Sequence, residues 1–215
     1  VQNAQLLIFF FPILVGTFFQ QLYNTVDAVI VGQFAGKEAL SSVGGSSSQI
    51  INFVVGFFTG LSAGATVIIS QFYGANDANK IHRALHTAYA FSIVGGIIAG
   101  IIGIALTVPV MKLMNTPEEL MHDSAMYVMI YFGGLVFIFV YNMGSAILRA
   151  IGDSKRPLYY LIICCFINIV LDIVFVSVLK LGVLGVAAAT FISQLVSAVL
   201  VTRALMYHTE GMKLV

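Results

Sequence analysis

Charge is distributed along this chain in a way that leaves one suitable solvent for most of it. No Asp, Glu, Lys or Arg occurs in residues 39–76, 84–111, 124–148 or 181–202. Residues 1–36 and 157–179 hold one charged residue each, Asp27 and Asp172. A helix needs about 20 predominantly apolar residues to cross the hydrocarbon core of a bilayer. Six segments qualify, at about residues 6–33, 47–72, 87–113, 125–148, 158–179 and 183–206. Barrel strands would be far shorter and would alternate in polarity. The sequence therefore predicts an all-α integral membrane protein with six transmembrane helices.

Composition agrees. The 215 residues are 60% hydrophobic and 9% charged, with mean hydropathy +1.01; soluble domains carry about 25% charged residues. A net charge of +1 gives no electrostatic footprint for nucleic acid. The connections, at about 35–42, 74–83, 115–123, 152–157 and 180–182, are too short to hold a soluble domain, so residues 1–215 read as one helical unit. The opening Val1-Gln2-Asn3 lacks the basic flank of a signal peptide. Residues 206–215 read as a linker leading elsewhere.

Orientation follows from Lys and Arg, which favour cytoplasmic loops. Lys80, Arg83, Arg149, Lys155, Arg156, Arg203 and Lys213 fall on one side, and Lys37, Lys112 and Lys180 on the other. Both ends of the segment are expected in the cytoplasm. Gly56, Gly60 and Gly64, and separately Gly96 and Gly100, have the four-residue spacing that lets helix backbones approach in lipid.

Asp27 and Asp172 are the informative residues. A charged side chain at the bilayer centre costs about 2.5–3.5 kcal/mol on insertion scales, so such groups tend to face a protein interior or a water-filled cavity. At 1.5 Å per residue, Asp172 lies roughly 21 Å beyond residue 158, in the outer half of the bilayer. Asp27 lies at a comparable depth, so two outward-running helices could bring both carboxylates to one pocket. Asn168, at i−4, shares a helix face with Asp172, and Asn24 precedes Asp27 at i−3. Amide and carboxylate oxygens suit a hard cation such as Na⁺. They serve a proton equally well, because low dielectric disfavours two neighbouring charges.

Other features are read more plainly. Pro12, inside the first span, removes a backbone hydrogen bond and kinks the helix, as a static bend or a hinge. Gln20, Gln21, Tyr23, Asn142 and Thr190 are read first as interhelical hydrogen-bonding groups. Cys164 and Cys165 are small apolar residues, since adjacent cysteines suit no structural disulfide. His82, His86, His122 and His208 fall in or near loops. A faint echo links Asn24, Asp27, Gly36 and Gln49 with Asn168, Asp172, Gly182 and Gln194. Internal repeats are common in transporters.

Five segments in order carry a resemblance. Gln20-Gln21-Leu22-Tyr23-Asn24-Thr25-Val26-Asp27, followed by Val31-Gly32, resembles the first helix of the multidrug and toxic compound extrusion (MATE) transporters. Gln71-Phe72-Tyr73-Gly74-Ala75 resembles that family's loop after helix two, and Leu148-Arg149-Ala150-Ile151-Gly152-Asp153, ending at Pro157, its loop after helix four. Asn168-x-x-x-Asp172 and Gly185-x-Ala187-x-Ala189-Thr190 resemble helices five and six.

The resemblance implies one lobe of a twelve-helix, two-lobe transporter, here the amino-terminal six-helix lobe, with the carboxyl-terminal lobe as its partner. It implies multi-pass residence in a bacterial cell membrane. It also implies efflux of lipophilic or cationic small molecules in antiport with Na⁺ or H⁺, and no other cofactor. The family's cation site corresponds to Asp27, Asn168, Asp172, Thr190 and Asn142, with Na⁺ as one occupant at Asp27, Asn168 and Asp172. Its substrate cavity corresponds to Gln20, Tyr23 and Asn24, and its hinge to Pro12. Alternating access needs one bundle to rock against another, so a lone lobe is expected to be a fragment or one piece of an assembly.

Three alternatives compete. A lipid-linked oligosaccharide flippase shares the broad fold, but such proteins often line the cavity with basic residues and no span here has a well-buried Lys or Arg. An intramembrane aspartyl protease could use two aspartates as an acid/base pair. Its Tyr-Asp and Gly-x-Gly-Asp motifs are not matched, since Asp27 follows Val26 and Asp172 follows Leu171. The reading is therefore a transporter, not an enzyme. A non-catalytic membrane scaffold would leave both aspartates silent.

Overall fold

A computed structural model describes residues 2–207, with side chains described for 11–207. Lys213, His208 and most of the linker expected at 206–215 lie outside the described residues. Every element is helical: α1 (Gln2–Ile30), a π-helical turn (Val31–Ala35), α2 (Gly36–Gly44), α3 (Ser46–Gly74), α4 (Ala78–Leu113), α5 (Glu118–Gly133), α6 (Leu135–Ala150), α7 (Lys155–Asp172), a second π-helical segment (Ile173–Val178) and α8 (Gly182–Tyr207). Among the described residues, α3, α4, α7 with its π extension, and α8 are each long and apolar enough to cross a membrane, and α5 with α6 makes a fifth span bent by 47°. The 29 residues of α1 reach about 44 Å at the α-helical rise.

The connections differ from the sequence expectation in three places. The segment expected as a loop at 35–42 is mostly the short helix α2. It meets α3 at Gly45, where a Cβ would stand 2.7 Å from the Ser41 carbonyl oxygen. The carbonyls freed at that corner are satisfied by serines: Ser47 Oγ donates to Ser42 O (2.6 Å), Ser124 Oγ reaches the same oxygen (3.1 Å), and Ser48 Oγ donates to Gly44 O (2.6 Å). The turn between α3 and α4 is much shorter than 74–83, because Asp77 caps α4 by accepting from the Lys80 amide at 3.1 Å. The fourth span breaks at Gly133-Gly134 between α5 and α6.

Helix α6 is the centre of the fold. Leu135, Phe139, Met143, Ile147 and Leu148 are each fully buried, with α3, α4 and α8 packed round them. Half of the α8 span is buried, against 17% for α3 and for α4. The last two therefore present most of their surface outward, as expected of helices whose solvent is lipid.

The two glycine patterns have different fates. Gly96 and Gly100 bring α4 against the α5–α6 elbow so closely that a Cβ on Gly96 would stand 2.7 Å from Val136 Cα, and one on Gly100 2.7 Å from Phe132 O. Gly56, Gly60 and Gly64 on α3 have no atom within 4 Å of a Cβ position. The helix-packing role expected for this second group is not met within the chain.

Candidate functional site

Both buried aspartates stand at the mouth of a π-helical turn. Asp27 lies four residues before the first, and Asp172 immediately precedes the second. The two π segments touch each other. Each is followed, at or near its end, by a glycine with positive φ, Gly36 at +92° and Gly182 at +57°. These are the glycines of the internal sequence echo. A π turn widens the helix by one residue and often marks a functional site.

Between the turns lies a compact polar cluster. Asn168 and Asp172 are fully buried, Thr190 is 4% exposed and Asp27 9%. With its amide nitrogen turned toward the carboxylates, Asn168 donates to Asp172 Oδ2 at 3.0 Å and to Asp27 Oδ1 at 2.9 Å. The Asp27 and Asp172 carboxyls are also within hydrogen-bonding reach of each other. Asp172 Oδ1 is buried without a hydrogen-bond partner. The Tyr23 hydroxyl lies 3.3 Å from Thr190 Oγ1, joining α1 to α8 as Asn168 joins α1 to α7.

Two dissociated carboxylates cannot persist together in such surroundings without compensation. The site needs a positive charge, supplied by a proton on one or both acids or by a small cation. The donor set fits either. With the amide nitrogen inward, Asn168 stabilises carboxylate oxygens. Rotated by half a turn, the same amide turns its oxygen to the carboxylates, and oxygens of these two kinds suit a hard cation such as Na⁺. Among the described residues no group of three or more His, Cys, Asp or Glu could hold a metal ion, so a cation here would rest on two carboxylates and neutral oxygens.

The structure brings Asp27, Asn168, Asp172 and Thr190 together and places the other predicted site residues elsewhere. Asn142 does not join the aspartates. It lines a separate polar cavity of about 140 Å³ with Pro12, Gln20, Tyr141, Ser145 and Arg149. Asn24 is exposed, its amide 3.5 Å from Gln21 Oε1, because i−3 spacing alone does not fix rotation about the helix axis. The substrate-cavity set of Gln20, Tyr23 and Asn24 is therefore divided among three environments.

Two residues were missed. Tyr127 on α5 is buried and within electrostatic range of both aspartates, and Tyr131 lies one turn further along the same helix. The available signal was a tyrosine pair at i,i+4 inside a charge-free span. Cys164 and Cys165 are buried free thiols.

Helices that must face lipid, joined by short turns round a buried pair of carboxylates, define a multi-pass membrane protein. The MatE family model matches residues 12–174, and the chain belongs to that family. It is 33% identical over 190 residues to "Probable multidrug resistance protein YoeA" of Bacillus subtilis (strain 168), covering 86% of this chain and 41% of that protein. It is also 33% identical over 191 residues to "Probable multidrug resistance protein YpnP" of the same organism, covering 88% and 42%. A structure described as the outward-facing conformation of a multidrug resistance MATE family transporter of the MOP superfamily superposes with TM-score 0.86 at 26% identity, over 92% of this chain and 43% of that one. The chain thus spans less than half the length of the relatives it matches, corresponding to their amino-terminal lobe.

Proposed function

We propose that this chain is the cation-carrying half of a secondary exporter that moves lipophilic or cationic small molecules out of the cell in exchange for Na⁺ or H⁺. The observation that carries the reading is the Asp27–Asn168–Asp172 bridge, with a buried Asp172 oxygen lacking any partner. Such a group is stable in hydrocarbon only when positive charge arrives, so its occupancy is linked to the ion gradient. The family membership and the relatives' printed names support drug efflux as the driven process.

The coupling ion, as cargo, enters from outside and neutralises Asp27 and Asp172. Tyr23 bonds to Thr190 beside them, so α1 senses the change through two neighbouring turns. Helix α1 then rearranges near Pro12, whose missing backbone N–H weakens the helix there, and substrate leaves outward. The positive-inside pattern supports cytoplasmic ends for this lobe. A carboxyl-terminal lobe is the partner against which it would rock.

Drug efflux measured on the full-length protein tests the reading. Asp27→Asn and Asp172→Asn each abolish gradient-driven export while leaving membrane insertion intact. Export at the unaltered rate in either variant sinks it. Imposing Na⁺ and pH gradients separately then assigns the ion.

A further inference from the structure

Helices α3 and α4 enclose two apolar grooves of similar size on the same helix pair. One, of about 640 Å³, runs along the 49–58 end of α3 and the 99–114 end of α4, and no charged side chain lines it. The other, of about 600 Å³, runs from Leu61 to Phe72 and from Lys80 to Phe91, floored by Met143 of α6. Its mouth carries Lys80 and Arg83. The first groove offers shelter to any acyl chain. The second adds a basic rim where its helices leave the membrane.

The rim charges are not equivalent. Lys80 pairs with Asp77 at 2.9 Å and stands over the Phe72 ring at 5.9 Å, so its charge is largely compensated. Arg83 is exposed, and among the described residues no carboxylate stands within ion-pair distance of it. From Arg83 to Phe91 the groove wall extends about 12 Å into the membrane at the α-helical rise. Gly64 keeps it open, since nothing lies within 4 Å of its Cβ position. A guanidinium at the interface above an apolar trough matches an anionic phosphate above an acyl chain.

We infer that the α3–α4 groove beneath Arg83 binds an anionic phospholipid, such as phosphatidylglycerol, from the leaflet that the Lys80–Arg83 end faces. The guanidinium takes the phosphate, and one acyl chain lies along Gly64, Ile68 and Ala84. The inference rests on the membrane-embedded fold and not on the efflux reading, and it leaves the Asp27 cluster untouched.

The test is native mass spectrometry of the purified protein released from micelles containing phosphatidylglycerol or phosphatidylcholine. Phosphatidylglycerol is retained at least about fivefold better, the preference expected from about 1 kcal/mol per basic residue at an anionic surface. Arg83→Gln, at an exposed position, brings the two lipids to parity. Gly64→Leu, whose side chain enters open space, lowers retention of both, with helicity checked by circular dichroism. Equal retention of the two lipids by the unaltered protein overturns the inference. So does an unchanged preference in Arg83→Gln. Undiminished binding of both lipids in a folded Gly64→Leu variant places the lipid outside this groove and likewise overturns it.

Discussion

Asn168 on α7 lies within hydrogen-bonding distance of Asp27 on α1, 2.9 Å to Oδ1, while its own helix neighbour Asp172 lies 3.0 Å away. One neutral amide therefore holds two acids from different spans at a single point. Hydrogen bonds to charged groups contribute about 1.5–3 kcal/mol each, and this amide makes two. Asn168→Leu is expected to lower the unfolding temperature in detergent and abolish coupled export. Asn168→Asp adds a third acid and is expected to be worse for stability at neutral pH than at acidic pH. Equal thermal stability of the Asn168→Leu variant and the parent would show that the bridge carries no energy.

The contrast between the two glycine patterns is measurable in this chain alone. Gly96→Leu must push a side chain into the Val136 backbone, and overpacking of that kind costs about 1–3 kcal/mol or more. Gly60→Leu adds a side chain where nothing stands within 4 Å, and is expected to be close to neutral. Thermal unfolding of both variants under identical detergent conditions decides; a Gly96→Leu protein as stable as the Gly60→Leu protein contradicts the packing described for the α5–α6 elbow.

Pro12 is buried within a helix that continues through it. Pro12→Ala restores a backbone donor and relieves an interior penalty of about 3 kcal/mol on helix-propensity scales. The expected outcome is a folded variant with slowed export, because α1 loses its weak point. Export at the parental rate would assign Pro12 to a static bend.

The turn between α3 and α4 carries a pH signature. Lys80 and the hydrogen bonds it makes to Asp77 hold that carboxyl below its ordinary range. A carboxylate with a depressed folded value contributes stability above its unfolded value, near 4, and loses that contribution as pH falls through the lowered folded one. Asp77→Asn is thus expected to be destabilising near neutrality and progressively less so in acid. A stability difference that does not change with pH would separate the cap from the charge. The carboxyl is partly open to solvent at a turn, so the effect is small and weakened by salt.

What could be read from the sequence and what could not divide along physical lines. The spans at 47–72 and 183–206 correspond closely to Ser46–Gly74 and Gly182–Tyr207. The fourth span concealed its 47° break at Gly133-Gly134, since hydropathy sums over a window and is blind to direction. The π turns after Asp27 and Asp172 have no propensity signature, although the positive-φ glycines that follow them did surface as a sequence echo. Asn142, assigned to the cation site by the family resemblance, lines another cavity, and Asn24, placed like Asn168 by spacing, faces outward.

The sequence by itself determined that this chain lives in lipid, and that Asp27 and Asp172 are the acids its spans retain. Both follow from transfer free energies, which belong to each residue regardless of its neighbours. Only the tertiary structure decided that Asn168 bridges the two acids, that Tyr23 reaches Thr190, and that Gly96 rather than Gly60 is buried against a partner. Those outcomes depend on the rotation of each helix about its axis and on where helices cross, which are fixed by packing between distant segments.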